Sequence, residues 1–228
     1  MIIAFAGQKG GIGKSTTAIS VAVAAHERGA RVLLVDADPQ GTARTWAEVA
    51  NEAGQPTPTV IAMGATMHKA GQLTSIACNY DTTIIDCPPR HGDVQRSALM
   101  VADLVVLPCG PSAADAWALA AALEMLQEAR TLRDELRACI LITRKQGRTA
   151  LAKGARMVLE TSGIPVLKTE LGYRIAYQES LAAGRGVTTF APRDAAATEV
   201  RNLLEELRSY AHGEEARRGF VAQAAAAG

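Results

Sequence analysis

Gly7-Gln8-Lys9-Gly10-Gly11-Ile12-Gly13-Lys14-Ser15-Thr16 is the stretch that decides the fold. It follows a short apolar run, Ile2 to Ala6, and leads into residues 14–28, which have helical composition and are stopped by Gly29. Strand, glycine loop and helix in that order are the context a phosphate-binding loop requires. Glycines let backbone N–H groups turn inward around phosphates, and the helix start adds its positive end. On this reading Gly10, Gly11, Ile12, Gly13, Lys14, Ser15 and Thr16 cradle the phosphates. Lys14 reaches the β- and γ-phosphates and Ser15 ligates Mg²⁺. The general pattern has Gly five residues before Gly13; this chain has Gln8 there, followed by an extra lysine, Lys9.

Outward from the loop, strand-like and helix-like segments alternate. Strands are expected at 31–35, 59–62, 82–85, 104–107, 138–143 and 165–168. Helices are expected at 42–53, 66–78, 93–101, 113–130, 149–161, 173–183 and 194–211. The alternation implies βαβ units: an α/β, doubly wound, mostly parallel sheet with helices on both faces. With no linker-like stretch and no repeat, residues 1–212 read as a single domain, and 213–228 as a frayed tail. Ligands in such sheets sit at the carboxyl ends of strands, so the strand-to-helix loops carry the information.

Two further loops bear it out in sequence. Asp36-Ala37-Asp38-Pro39-Gln40-Gly41-Thr42 follows the second strand and brings two acids beside the phosphate loop, which suits metal and water management. Asp38 also suits the cap of the following helix, and both roles hold together. Ile84-Ile85-Asp86-Cys87-Pro88-Pro89 is a β-branched strand ending in Asp, the arrangement that holds Mg²⁺ through a carboxylate.

The string Lys9-Gly-Gly-Ile-Gly-Lys14-Ser15 resembles the deviant Walker A motif of the ParA/MinD family of ATPases, and the Asp-Pro-Gln and Asp-x-Pro-Pro loops resemble that family's next two motifs. Pro108-Cys-Gly-Pro111-Ser112-Ala-Ala-Asp115 resembles a family segment near the dimer interface. The stretch around Phe190, Ala191 and Pro192 resembles the segment bordering the adenine, with Asp194 where many relatives have Ser. The likeness runs over about residues 1–210 and is nearest to short plasmid-partition (ParF-like) proteins. Because the loop begins at residue 7, no N-terminal helix-turn-helix domain is expected. The resemblance implies ATP and Mg²⁺ as ligands, with Ser15, Asp36 and Asp86 around the metal. It implies Lys9, Lys14 and Asp38 as catalytic residues: Lys9 crosses to the partner's nucleotide and Asp38 positions the attacking water. Implied partners are a second copy, as an ATP-dependent homodimer or higher assembly, nonspecific DNA and a cargo adaptor of ParB type. The implied cycle is partition or positioning of a plasmid or another intracellular cargo, by a cytoplasmic, nucleoid-associated protein.

Composition bounds the rivals. The chain has 228 residues, and its aromatic content of 4% demands an aliphatic core. No apolar run reaches the ~18 residues of a membrane span, and the N-terminus lacks the basic region of a signal peptide. A MinD-like membrane-cycling regulator needs a bulky amphipathic C-terminal helix; here Arg217, Arg218, Phe220 and Val221 are followed mostly by Ala, so a membrane partner is not expected. Cys78, Cys87, Cys109 and Cys139 form no C-x-x-C pair, so neither an iron–sulfur carrier nor a zinc or disulfide framework is expected. A small-molecule ligase of dethiobiotin-synthetase type would use a related loop without needing Lys9 or Asp-Pro-Gln.

The formal charge of +1 conceals an asymmetry. Residues 1–136 hold 10 Lys+Arg against 14 Asp+Glu (net −4), and residues 137–228 hold 14 against 9 (net +5). Six bases and no acid lie between Arg137 and Leu159. Arg148, Lys153, Arg156, Arg174 and Arg185 are therefore candidates for a DNA-facing stripe, doubled by dimerisation.

Overall fold

The computed structural model describes residues 1–147 and 150–211, except for the side chains of residues 113, 150–153, 155 and 211. Arg148 and the expected tail, with Arg217, Arg218, Phe220 and Val221, lie outside the described residues, as does the side chain of Lys153.

Among the described residues, six strands form one sheet: β1 (Ile2–Phe5), β2 (Val32–Asp36), β3 (Thr59–Ala62), β4 (Thr82–Asp86), β5 (Leu104–Cys109) and β6 (Arg137–Ile142). Their spatial order is β3-β2-β4-β1-β5-β6 and every pairing is parallel. The central strands β2, β4 and β5 are buried at every position, because a parallel sheet is covered on both faces. Among the described residues, nine helices connect and cover them: α1 (Lys14–Glu27), α2 (Thr42–Glu52), α3 (Leu73–Ala77), α4 (Gly92–Leu99), α5 (Ala113–Arg130), α6 (Ala150–Glu160), α7 (Ile175–Ala182), α8 (Val187–Phe190) and α9 (Ala195–Ala211). Alternation along the strands sorts the core into two layers. Ile3, Phe5, Leu34 and Ile84 pack against α1, α2, α7, α8 and α9. Ala4, Leu33, Ile85 and Val105 pack against α3, α4, α5 and α6.

Three local expectations change. The helix expected over 66–78 is only α3, because Gly71 takes φ +77° and breaks the turn before it. The strand expected at 165–168 is a single parallel bridge, Val166 with Ile140. There the Glu206 carboxylate accepts the N–H groups of Lys168 and Thr169, at 2.6 and 2.9 Å, and draws the chain off the sheet. The short α8 was not expected; Gly186 sits on Val23 so closely that a Cβ would stand 2.6 Å from it, which seats this turn on α1.

The topology positions the site. β1 lies between β4 and β5, so the loop leaving β1 emerges at the point where strand order reverses. Phe5 and Asp36 are both register partners of Asp86, which aligns the carboxyl ends of three neighbouring strands.

Candidate nucleotide-binding site

The loop between β1 and α1 is built as its sequence requires. Gly11 and Gly13 take φ +72° and +89°, a region that glycine enters without strain. Gly13 is the N-cap of α1 and offers no side chain, so the first-turn N–H groups keep no side-chain cap. Its carbonyl accepts the N–H of Thr17 at 2.9 Å and the Thr17 hydroxyl at 2.7 Å. The end of β6 braces the loop from outside: Thr143 donates to the Ile12 carbonyl at 2.8 Å and Arg144 to the Gly11 carbonyl at 3.0 Å. Loop carbonyls are thus tied back into the protein.

Lys14 is buried at 6% exposure, and its Nζ donates to the Lys9 carbonyl at 2.9 Å. Burial lowers its pKa, opposed by the negative charge of Asp86, the Cys87 thiol and Asp38. A buried ammonium resting on a neutral carbonyl is short of counter-charge, which a phosphate supplies.

Asp86 is the clearest chemical feature. Both carboxylate oxygens are buried, and among the described residues none makes a well-aligned hydrogen bond to them, although the Ser15 hydroxyl stands close by. Burial raises its pKa to about 7, with the Ser15 hydroxyl opposing the rise and the Asp36 carboxylate adding to it. An orphaned buried carboxylate beside the half-buried Ser15 is a donor set that fits a hard divalent cation. Asp36, paired with it in register, is differently occupied. One oxygen accepts the Asp38 N–H at 3.1 Å; the other accepts the Arg44 N–H at 2.9 Å and the Arg44 Nε–H at 3.4 Å. Asp36 therefore fastens the loop that carries Asp38, while standing in register beside Asp86, where it was expected near the metal. Asp38 is 8% exposed, and one of its oxygens accepts the Gln40 N–H at 2.9 Å. The N-cap of α2 is Gly41, not Asp38, so the Asp38 carboxylate closes a local turn beside the phosphate loop.

A cavity of about 230 Å³ opens beside the loop, lined among others by Gly11, Thr16, Arg144, Tyr173, Arg174 and Tyr177. The Arg144 guanidinium lies 5.6 Å from the Tyr173 ring centroid. Arg174 donates to Glu199 at 2.6 and 2.9 Å, and the Tyr177 hydroxyl donates to the same carboxylate at 3.0 Å, so the wall is cross-tied. The expected adenine border does not line this cavity. Phe190 belongs to α8, where the Thr188 hydroxyl donates to Glu27 at the far end of α1. At ~1.5 Å per residue, that is roughly 20 Å from Lys14. Arg144, Tyr173 and Tyr177 were missed as site residues. The rule that ligands gather at strand ends points to Arg144, which follows β6, but the tyrosines arrive only because the chain from Val166 to Gly172 runs on parallel to the end of β6, bridging Ile140 and Lys145.

The expected basic stripe is largely spent within the chain. Arg156 donates to Glu170 at 3.0 Å, to Glu160 at 3.3 Å and to the Leu167 carbonyl at 2.7 Å. Arg174 is held by Glu199, and Lys145 pairs with Glu170. Arg185 donates to the Thr189 carbonyl and lies 6.0 Å from the Phe190 ring centroid. Arg156, Arg174 and Arg185, expected in a DNA-facing stripe, thus each have partners within the chain in this structure. No described helix is long and apolar enough to cross a membrane.

Residues 3–187 match the family model described as the CobQ/CobB/MinD/ParA nucleotide binding domain. Among curated relatives, the chain is 30% identical over 207 residues to the maintenance of carboxysome distribution protein A of Halothiobacillus neapolitanus, covering 90% of this chain and 95% of that one. It is 33% identical over 236 residues to the chromosome-partitioning ATPase Soj of Thermus thermophilus, covering 90% and 94%. Its fold is similar to the crystal structure of cobyrinic acid a,c-diamide synthase from Mycobacterium smegmatis with bound ADP and magnesium, with a TM-score of 0.72, 21% identity, and coverage of 92% and 94%.

Proposed function

The chain belongs to the CobQ/CobB/MinD/ParA nucleotide-binding family, and from that premise we propose that it is a ParA-type positioning ATPase. In this reading residues 1–212 act as one unit that binds ATP with Mg²⁺ and pairs face to face with a second copy. The pair holds DNA nonspecifically and releases it on hydrolysis, distributing a plasmid or another cargo through a ParB-type adaptor. Such a cycle belongs in the cytoplasm, on the nucleoid. The observation that carries the reading is the meeting of Lys14, Asp38 and the orphaned Asp86 at three adjacent strand ends, with Lys9 on the same loop.

Each residue then has a distinct task. Lys14 exchanges the Lys9 carbonyl for phosphate oxygens and offsets their charge. Loop N–H groups from Gly10 to Thr16 bind the remaining oxygens. Ser15 and Asp86 would hold Mg²⁺, which would supply positive charge to offset that of the phosphates. Asp38, fixed through Asp36 and Arg44, orients the attacking water. The base enters the cavity walled by Tyr173 and Arg144, and Phe190, Ala191 and Pro192 take no part. Lys9 crosses to the partner's ATP, where a cation in trans offsets two facing triphosphates. Arg148 and Lys153 remain the proposed DNA contacts.

Sedimentation with ATP and Mg²⁺ tests the cycle. The wild type should dimerise, and Lys9→Ala should bind ATP yet stay monomeric. DNA binding should require ATP and weaken steeply with salt. Equal DNA binding with no nucleotide, or normal dimers from Lys9→Ala, would overturn the reading.

A further inference from the structure

Arg44 stands where its own helix least favours a cation. It is the third residue of α2, whose first turn carries no acid and whose N-cap, Gly41, offers no side chain. A helix start is already positive, so a guanidinium there is repelled unless something else holds it. Asp36 holds it. Its Oδ2 accepts the Arg44 N–H at 2.9 Å, capping α2 from eight positions upstream, and the Arg44 Nε–H at 3.4 Å. The arginine side chain folds back over Gly41, where a Cβ would stand 2.9 Å from a guanidinium nitrogen. The two charges are unequally sheltered, with side-chain exposures of 45% for Arg44 and 0% for Asp36. The neighbouring acid is treated in the opposite way. Asp86 is the register partner of Asp36 on the adjoining strand, close enough for the Asp36 charge to oppose its ionisation, and no described side chain forms an ion pair with it. Of two strand-end carboxylates side by side, one has a resident arginine and the other is open.

We infer that Arg44 is a positioning residue, the resident counter-ion of the cation site: by occupying Asp36 it lowers the site's negative charge by one, so that a divalent ion is held tightly only together with the phosphates of a nucleotide. This rests on the ATP and Mg²⁺ reading above and adds the control of when the metal is taken. Without the guanidinium, Asp36 and Asp86 face the site with both charges uncompensated, and the affinity of an oxygen-ligand site for a hard divalent cation rises with its negative charge. The same loss removes a positive charge from beside the phosphates, so nucleotide without metal is held less well. The two affinities therefore move in opposite directions. The Arg44 N–H survives every substitution, so the loop that carries Asp38 keeps its backbone tie to Asp36.

Two titrations of the full chain test this. The first uses Mn²⁺ without nucleotide, read by electron paramagnetic resonance. Arg44→Gln should bind Mn²⁺ about 3- to 10-fold more tightly than the wild type, the range a partly exposed charge commands. Arg44→Ala, an equally good helix former, should do the same. Arg44→Lys keeps the charge and should stay within about twofold of the wild type. Arg31→Gln opens the Arg31–Asp81 pair at the opposite ends of the same two strands and should change nothing. The second follows a fluorescent ATP analogue in excess EDTA. Arg44→Gln should bind it about 3- to 10-fold less tightly than the wild type, with Arg44→Lys restoring the affinity. A loosened loop or a damaged fold weakens both titrations, so the opposite signs separate a counter-ion from a structural brace. Mn²⁺ held no more tightly by Arg44→Gln and Arg44→Ala than by the wild type overturns the inference, and so does an equal gain in Arg44→Lys or Arg31→Gln. Tighter Mn²⁺ with unchanged metal-free binding of the analogue overturns the link between metal and nucleotide. A wild type that takes up no analogue in excess Mg²⁺ instead overturns the nucleotide reading, while the Mn²⁺ titration still decides the role of Arg44.

Discussion

The two halves of the molecule use charge in opposite ways. At the ends of β1, β2 and β4, charged groups are buried and left short of partners: Asp86 has two orphaned oxygens and Lys14 only a carbonyl. In the part after β6 the basic residues exceed the acidic ones, yet Arg156, Arg174 and Lys145 are matched to Glu160, Glu170 and Glu199. An unmatched buried charge is costly, so it persists where a ligand completes it. A matched charge is an internal fastening, whatever the net charge of its segment. Counting charges along a sequence therefore does not count the charges available to a partner.

Perturbations that break this contrast should differ in kind. Lys14→Ala, on the unmatched side, should lower ATP turnover by about 10²–10³-fold, measured by phosphate release, with little change in melting temperature. On the matched side, Glu199→Ala removes the acceptor of Arg174, Tyr177 and the Gly172 N–H together. It should cost about 3 kcal/mol in urea unfolding, because it strands several donors at once.

Asp86 predicts the sign of the pH dependence. Its carboxyl titrates at about 7 in the folded chain, against an ordinary value of 3.8. Between those values the folded state binds the extra proton, so stability falls as pH rises through that window. Thermal unfolding without nucleotide or Mg²⁺ should therefore favour pH 5 over pH 7.5, by on the order of 2 kcal/mol. Asp86→Asn should flatten the profile.

The smallest effect sharpens the comparison most. Arg156→Ala should cost about 1 kcal/mol of stability and leave the salt dependence of DNA binding unchanged. Lys153→Ala should reduce that salt slope by about one. A reduced slope from Arg156→Ala would show that its pairs open for DNA, and the contrast between the halves would fail.

Legibility in the sequence followed the range of the interactions. The three strand-end loops were legible because each is a local pattern whose roles are set within about ten residues. The strand–helix alternation was legible because buried parallel strands are continuous apolar runs. The bridge at Val166 was read as a strand because its apolar composition is the same, whereas the deciding Glu206 lies 37 positions from the nearer backbone it captures. Asp36 was read with the metal because its type and place match; its commitment to Arg44 appears only when α2 folds back over it.

The sequence by itself determined the fold class, the phosphate loop and the order of the acidic loops, because backbone conformation and strand burial are dictated by neighbouring residues. Only the tertiary structure decided which charges are free. It placed the cavity wall at Tyr173 and Tyr177, with Phe190 at the far end of α1, and set Lys9 on Asp115. The physical reason is that a charge is neutralised by whatever lies within a few ångströms in space, and in this sheet those neighbours come from strands and helices far apart in the chain.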